Sequence, residues 1–299
     1  GRIAGPRMLV AVRSLSSTGG HGDWNDLPPD ITVNRMAASA DGPDGVQRMV
    51  RENLKYGADW IKILVTGGVT SIGTDPKQAD YTEEEIRAAV VTAQGRGRDV
   101  AAHAHGSEGI LRAVRAGVRS IEHASYLTDA AIAEIKRRGV FIVSNPFTNY
   151  YIIERSNSGM FQDYEIEKSR EIYQHKMQSL RRAISAGVAV AYGTDAGVQP
   201  HGLNARQFAL YVEAGMTPLQ AIQSATVVAA RLLRQEQRLG RLRPGYVGDI
   251  VAVRENPLTQ IRTLEAPVYV IKEGSLIYRR DPAGVVCPRQ TLDERSVWR

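Results

Sequence analysis

Short apolar runs alternate with longer amphipathic segments along most of this chain, the rhythm of βα units wound around a parallel sheet. Residues 8–12 read as a first strand, followed by a glycine-rich loop through Asp23. A helix over about 44–56 leads into a strand at 60–65. Thr82 and Glu85 have capping-box spacing and open the helix that precedes a strand at 100–104. The alternation continues with a helix at 108–116, a strand at 118–123, a helix at 129–138 and a strand at 140–144. A long loop, a helix around 164–186 and a strand at 188–192 follow. Gly117, Gly139 and Gly187 each end a helix just before a valine begins a strand. Glycine there supplies the left-handed cap that turns the chain back toward the sheet. Two further helices, about 204–214 and 218–233, complete this region.

After Gly240 the pattern changes to short strands joined by turns, at 248–253, 267–271 and 274–278. The count is six strand–helix units in the first 237 residues. A closed (β/α)8 barrel needs eight strands over roughly 250 residues. The expectation is therefore an α/β fold, a TIM-type (β/α)8 barrel in residues 1–237 that lacks strands 1 and 2, these lying before Gly1. Residues 238–299 would be the C-terminal part of a small β-sandwich domain.

Composition narrows the function classes. With 43% hydrophobic and 23% charged residues among 299, the chain can bury a large core. The formal charge of +6 raises nucleic acid as a partner, but the basic residues are scattered over helical segments with no basic arm or aromatic–basic alternation, so none is expected. No stretch approaches the ~20 apolar residues of a membrane span. The single cysteine, Cys287, excludes an intrachain disulfide and a Cys-rich zinc cluster, and its place in the tail argues against a thiol nucleophile. The first residues carry neither an initiator Met nor a signal pattern, which leaves the compartment open with the cytoplasm favoured.

In a parallel barrel the chemistry sits at the C-terminal ends of strands. Lys62, His103, His123 and Asp195 fall there, each followed by a loop or turn signal. A lysine inside an apolar strand is costly to bury. It either pairs with a carboxylate or reaches the rim, forms a Schiff base, or reacts with carbon dioxide to give an anionic carbamate that can bridge two metals. His103 and His105 alternate along one strand and so project to one face, as metal ligands or as structural or substrate contacts. His123 is a structural residue or a ligand. Asp195, with Gly193, Ala191 and Ala189 beneath it on the same face, either caps the next helix or faces a metal or substrate. Together they form a mixed nitrogen and oxygen set suited to zinc or a similar divalent ion. There is no Gly-x-Ser-x-Gly elbow. Thr66-Gly-Gly-Val-Thr-Ser71 lacks the ending of a P-loop and reads as a mouth loop.

These stretches resemble the amidohydrolase superfamily, in its imidazolonepropionase-like and Xaa-Pro dipeptidase-like branch. The resemblance is carried by Ser17-Thr-Gly-Gly-His-Gly-Asp23, Ile61-Lys-Ile, Thr66-Gly-Gly68, Ala102-His-Ala-His-Gly106, Ile121-Glu-His123 and Gly193-Thr-Asp-Ala-Gly197. Gly215-Met-Thr-Pro-Leu-Gln-Ala-Ile222 and Gly248-Asp-Ile-Val251 add to it. The successive gaps from Lys62 to His103, His123 and Asp195 are 41, 20 and 72 residues, which fit as well.

The resemblance implies a Lys62 carboxylated by carbon dioxide and bridging two divalent ions, with zinc the expected metal. His103 and His123 would bind the second metal, and Asp195 would bind the first metal and act as general base. His105 would contact substrate at a position where some relatives carry Tyr. The loop residues His21 and His201 either contact substrate at the pocket or are solvated loop residues. The strand-1 His-x-His of the family is absent ahead of Lys62. The implied reaction is hydrolysis of an amide bond in a small substrate such as a dipeptide or N-acyl amino acid, by a homo-oligomer. The alternatives are a cyclic amide, lactone or organophosphate at the same site, or a truncated, non-catalytic chain.

Overall fold

A computed structural model describes residues 5–23, 25–28, 30, 37–281 and 284–286. Cys287 lies outside the described residues. Internal contacts divide the chain into two compact units, Gly1–His201 and Gly202–Arg299. The division falls ahead of the helices after residue 204, whereas the sequence pattern places it at 237/238.

Among the described residues the first unit contains six strands, β1 (Ser14–Ser16), β2 (Ala37–Ser39), β3 (Trp60–Leu64), β4 (Asp99–Ala104), β5 (Ser120–His123) and β6 (Phe141–Val143). They form one parallel sheet in the order β2–β1–β3–β4–β5–β6. The helices that accompany them are α1 (Gly42–Lys55), α2 (Glu83–Gln94), α3 (Ser107–Ala116), α4 (Asp129–Arg138), α5 (Pro146–Glu154) and α6 (Asp163–Ser185). From α1 to α4 each helix packs on the next.

The apolar spacing explains this layering. The buried residues of α1 are Val46, Met49, Val50 and Asn53, and those of α2 are Ile86, Ala89, Val90 and Ala93, one stripe per helix at i, i+3, i+4 and i+7. Ile61, Ile63, Ala102, Ala104 and Ile121 in the strands have no exposed surface. A large-to-small change at Ile61 or Ile63 should therefore cost about 2–5 kcal/mol. The capping box forms as the spacing indicates: the Glu85 N–H donates to Thr82 Oγ1 (3.3 Å) and the Thr82 N–H to Glu85 Oε2 (2.8 Å). Gly117, Gly139 and Gly187 take φ of 99°, 65° and 73°, the left-handed geometry expected at these helix-to-strand junctions.

Three local readings are corrected. Residues 8–12 form no strand: Met8, Leu9, Val10 and Val12 are 41–72% exposed. Among the described residues the Val10 backbone hydrogen-bonds to Asp59 and Trp60 alone, and the first strand starts at Ser14 instead. The strand expected at 188–192 is reduced to a parallel bridge between Ile142 and Val190, held by Ile142 N–H to Ala189 O (3.0 Å) and Ala191 N–H to Ile142 O (2.8 Å). The long loop before α6 contains α5, which is buried on most sides and so lacks an amphipathic period to read.

The second unit holds α7 (Gln207–Glu213), α8 (Pro218–Gln223), a π turn at Ser224–Val228 and α9 (Ala229–Leu232). The single helix expected over 218–233 is thus interrupted by a wider turn. β7 (Ile250–Ala252), β8 (Tyr269–Lys272), β9 (Ser275–Asp281) and β10 (Gly284–Val286) form an antiparallel sheet in the order β10–β9–β8–β7. Among the described residues, no helix is long and apolar enough to cross a membrane.

Candidate active site

Parallel pairing in register carries His103 in β4 and His123 in β5 to one end of the sheet, with Lys62 in the neighbouring β3. Asn145 follows β6, and Asp195 follows the bridge at Val190. These positions line one cavity of about 600 Å³. Of the residues singled out in the sequence, Lys62, His21, His103, His105, His123 and Asp195 all border it. His201 does not; it is exposed and outside the lining.

The imidazoles form a contiguous cluster. The His103 ring centroid lies 4.4 Å from His123, 4.5 Å from His21 and 4.8 Å from His105, and His105 lies 4.7 Å from His123. One potential ligand atom each from His103, His105 and His123 lie within 4.8 Å of one another, and all three residues are buried. Burial, and then the neighbouring imidazoles and Lys62, hold all three well below the ordinary histidine pKa. Burial followed by Lys62 lowers His21 to about 4. Neutral rings keep a nitrogen lone pair available for a metal.

Hydrogen bonding assigns which nitrogen that is. Gly67 O can only accept, so His103 donates from Nε2 (3.1 Å) and keeps Nδ1 free. Asn145 Oδ1 accepts from His123 Nδ1 (2.9 Å), which leaves His123 Nε2 free. His105 Nδ1 meets Ser125 Oγ at 2.7 Å. Oriented ring nitrogens of this kind are what metal-binding histidines require. The donor set, three buried imidazoles with a lysine and a carboxylate lining the same cavity, fits a divalent metal.

Asn145 ties the site together. Its Nδ2 donates to Asp195 Oδ2 (3.1 Å), and its Oδ1 also accepts from Lys176 Nζ (2.9 Å). Asp195 is itself exposed at the cavity, so its carboxylate can reach water. Lys62 makes no hydrogen bond or ion pair among the described residues. It does act electrostatically on the half-buried Glu122, whose pKa desolvation raises and Lys62 lowers in opposition.

Two backbone features serve this geometry. His123, Ala124 and Asp195 have φ of 75°, 49° and 55°, a left-handed conformation that costs non-glycine residues about 1–3 kcal/mol each. Gly68 is needed for close approach, because a Cβ there would lie 2.2 Å from the His21 ring. At Gly193 a Cβ would fall 2.4 Å from Val143 Cγ1, so the small residue lets the chain below Asp195 lie against β6.

Asn145, Asn149 and Lys176 were not among the candidates from sequence. Asn145 had one available signal, its position just after a strand. Lys176 sits in a helix rich in charged residues, where nothing in the pattern separates a buried lysine from a solvated one.

The Amidohydrolase family model matches residues 2–277. The chain is 33% identical over 295 residues to ochratoxinase of Aspergillus niger, covering 92% of this chain and 61% of that protein. It thus spans about three-fifths of the length of that curated relative. Among solved structures it is similar to a Xaa-Pro dipeptidase with bound methionine in the active site, with a TM-score of 0.87 and 39% identity over 92% of this chain and 69% of that one. It is also similar to a prolidase complexed with N-methylphosphonate-L-proline, with a TM-score of 0.86 and 32% identity over 93% of this chain and 70% of the other. A family match over nearly the whole chain, together with an imidazole cluster on a parallel sheet, places this protein in the amidohydrolase family.

Proposed function

We propose that this chain carries the catalytic centre of a hydrolase that cleaves an amide (C–N) bond in a small substrate such as a dipeptide or N-acyl amino acid. The observation that carries this reading is the convergence of His103, His105, His123, Lys62 and Asp195 on one cavity. Relatives named as a Xaa-Pro dipeptidase and an ochratoxinase support the reaction class. In this reading residues 1–237 are strands 3–8 of a (β/α)8 barrel, and residues 238–299 belong to a small β domain.

Lys62 as its carbamate, His103, His123 and Asp195 would hold the divalent metal, zinc being the first ion to test. Such an ion, when bound, supplies polarisation of a carbonyl oxygen and a more acidic water. The rest falls to the protein. His103 presents Nδ1 and His123 presents Nε2, each fixed by the bond at its other nitrogen. Asp195, oriented by Asn145, accepts the proton of the attacking water and returns it to the leaving amine. His105 and His21 border the space left for substrate.

The test is a panel of dipeptides and N-acyl amino acids incubated with the zinc-supplemented chain, followed by amine release and by metal content per chain. The expected result is hydrolysis abolished by a chelator and restored by zinc. A chain that retains no metal at excess zinc would overturn the proposal.

A further inference from the structure

Lys176 is a titratable group that the reaction above does not use. It comes from α6, is 1% exposed and forms part of the cavity wall. Its Nζ donates to Asn145 Oδ1 (2.9 Å) and Asn149 Oδ1 (2.6 Å). An ammonium has three N–H groups. The third has no acceptor among the described residues, and neither existing acceptor carries charge. Asp195 acts on it electrostatically without forming an ion pair. A cation buried without an anion is costly, and here burial draws its pKa down to about 7.

Lys168 of the same helix shows what a saturated lysine looks like. Its Nζ donates to Gly68 O (3.2 Å), Ser71 O (2.9 Å) and Thr74 O (2.8 Å), so all three N–H groups are used and none is left for a ligand.

We propose that Lys176 is the anchor for a carboxylate on the substrate, its remaining N–H and its charge completing an ion pair next to the imidazole cluster. This rests on reading the cavity as the hydrolase site, and it selects acid-bearing amides over their neutral counterparts. A single free donor suits one carboxylate oxygen, and a phosphate dianion would require more donors. The Asn145 and Asn149 side chains hold the ammonium in place while leaving its charge unneutralised. Asn145 also bonds His123 and Asp195, so the anchored acid and the reacting centre share one rigid support.

The probes are N-acetyl-L-leucine and its C-terminal amide, with binding to the full chain measured calorimetrically. The wild-type protein should bind the acid at least about tenfold more tightly than the amide. Lys176→Met should raise the dissociation constant of the acid to that of the amide and leave the amide unchanged, whereas Lys176→Arg should keep part of the preference. Should Lys176→Met fail to fold, Lys176→Gln, which keeps donors for the two asparagines but carries no charge, is read in its place with the same two outcomes. Equal binding of the two probes, binding of neither, or an acid preference that survives in Lys176→Met would overturn the assignment. Binding is read with a chelator present, so no turnover intervenes; an acid preference lost in Lys176→Met, in a chain that hydrolyses nothing when zinc is supplied, preserves the anchor and removes the hydrolase reading. Hydrolysis with equal KM for acid and amide does the reverse.

Discussion

The mouth and the floor of the cavity are each organised by a lysine of α6, and the two lysines behave oppositely. At the mouth Lys168 gathers three backbone carbonyls of the 66–75 loop, and Tyr164 adds a bond from its hydroxyl to Thr70 O (3.3 Å). At the floor Lys176 is buried more deeply yet holds only two neutral acceptors. Counting acceptors against donors separates a residue that shapes the site from one that has capacity left for a ligand. Burial alone does not make that distinction.

Three substitutions can break or sharpen this contrast. The largest effect is expected where Asn145 links the floor to the carboxylate: Asp195→Asn should lower kcat by about 10²–10⁴-fold. Asparagine tolerates the φ of 55° at this position, so the melting temperature should change little. Full activity in that variant, assayed with the best substrate of the panel, would remove the carboxylate from the chemistry.

At the mouth, Lys168→Met removes the shared donor of three carbonyls and should cost about 1–3 kcal/mol. Hydrogen exchange across 66–75 should accelerate while the acid-over-amide preference stays intact. Unchanged exchange would show that the loop is ordered by something else.

The smallest effect is at Asp80, whose carboxyl burial raises to about 6, against a hydrogen bond from the His21 backbone. Its Oδ2 is buried without a partner. The folded protein binds this proton more tightly than the unfolded chain. The resulting stability is therefore complete below pH ~4 and lost as pH rises through about 6. Asp80→Asn should raise stability by about 1 kcal/mol at pH 7 and leave it unchanged at pH 4. Melting curves at the two pH values check this.

The legible parts of the fold were those with a period. The stripes of α1 and α2, the capping box at Thr82 and the glycine junctions at Gly117, Gly139 and Gly187 each follow from local chemistry that tertiary contacts do not override. The imidazoles were legible because strand alternation puts His103 and His105 on one face and parallel register brings His123 to the same rim. The support behind them was not. Asn145 and Asn149 flank the start of a helix apolar on most sides, and Lys176 reads like the surface lysines and arginines around it. The exposed run at 8–12 misled because an apolar stretch specifies burial without specifying a partner strand, and the short β2, made of Ala37, Ala38 and Ser39, offered too little side chain to announce itself.

The left-handed backbone at His123 and Asp195 sets robustness against reactivity at single positions. Glycine would sit there with less strain and contribute no side chain to the cavity. A mutant library sorted for heat resistance alone would therefore reward the loss of the exposed Asp195 side chain, and any engineering of this chain has to select for turnover in every round.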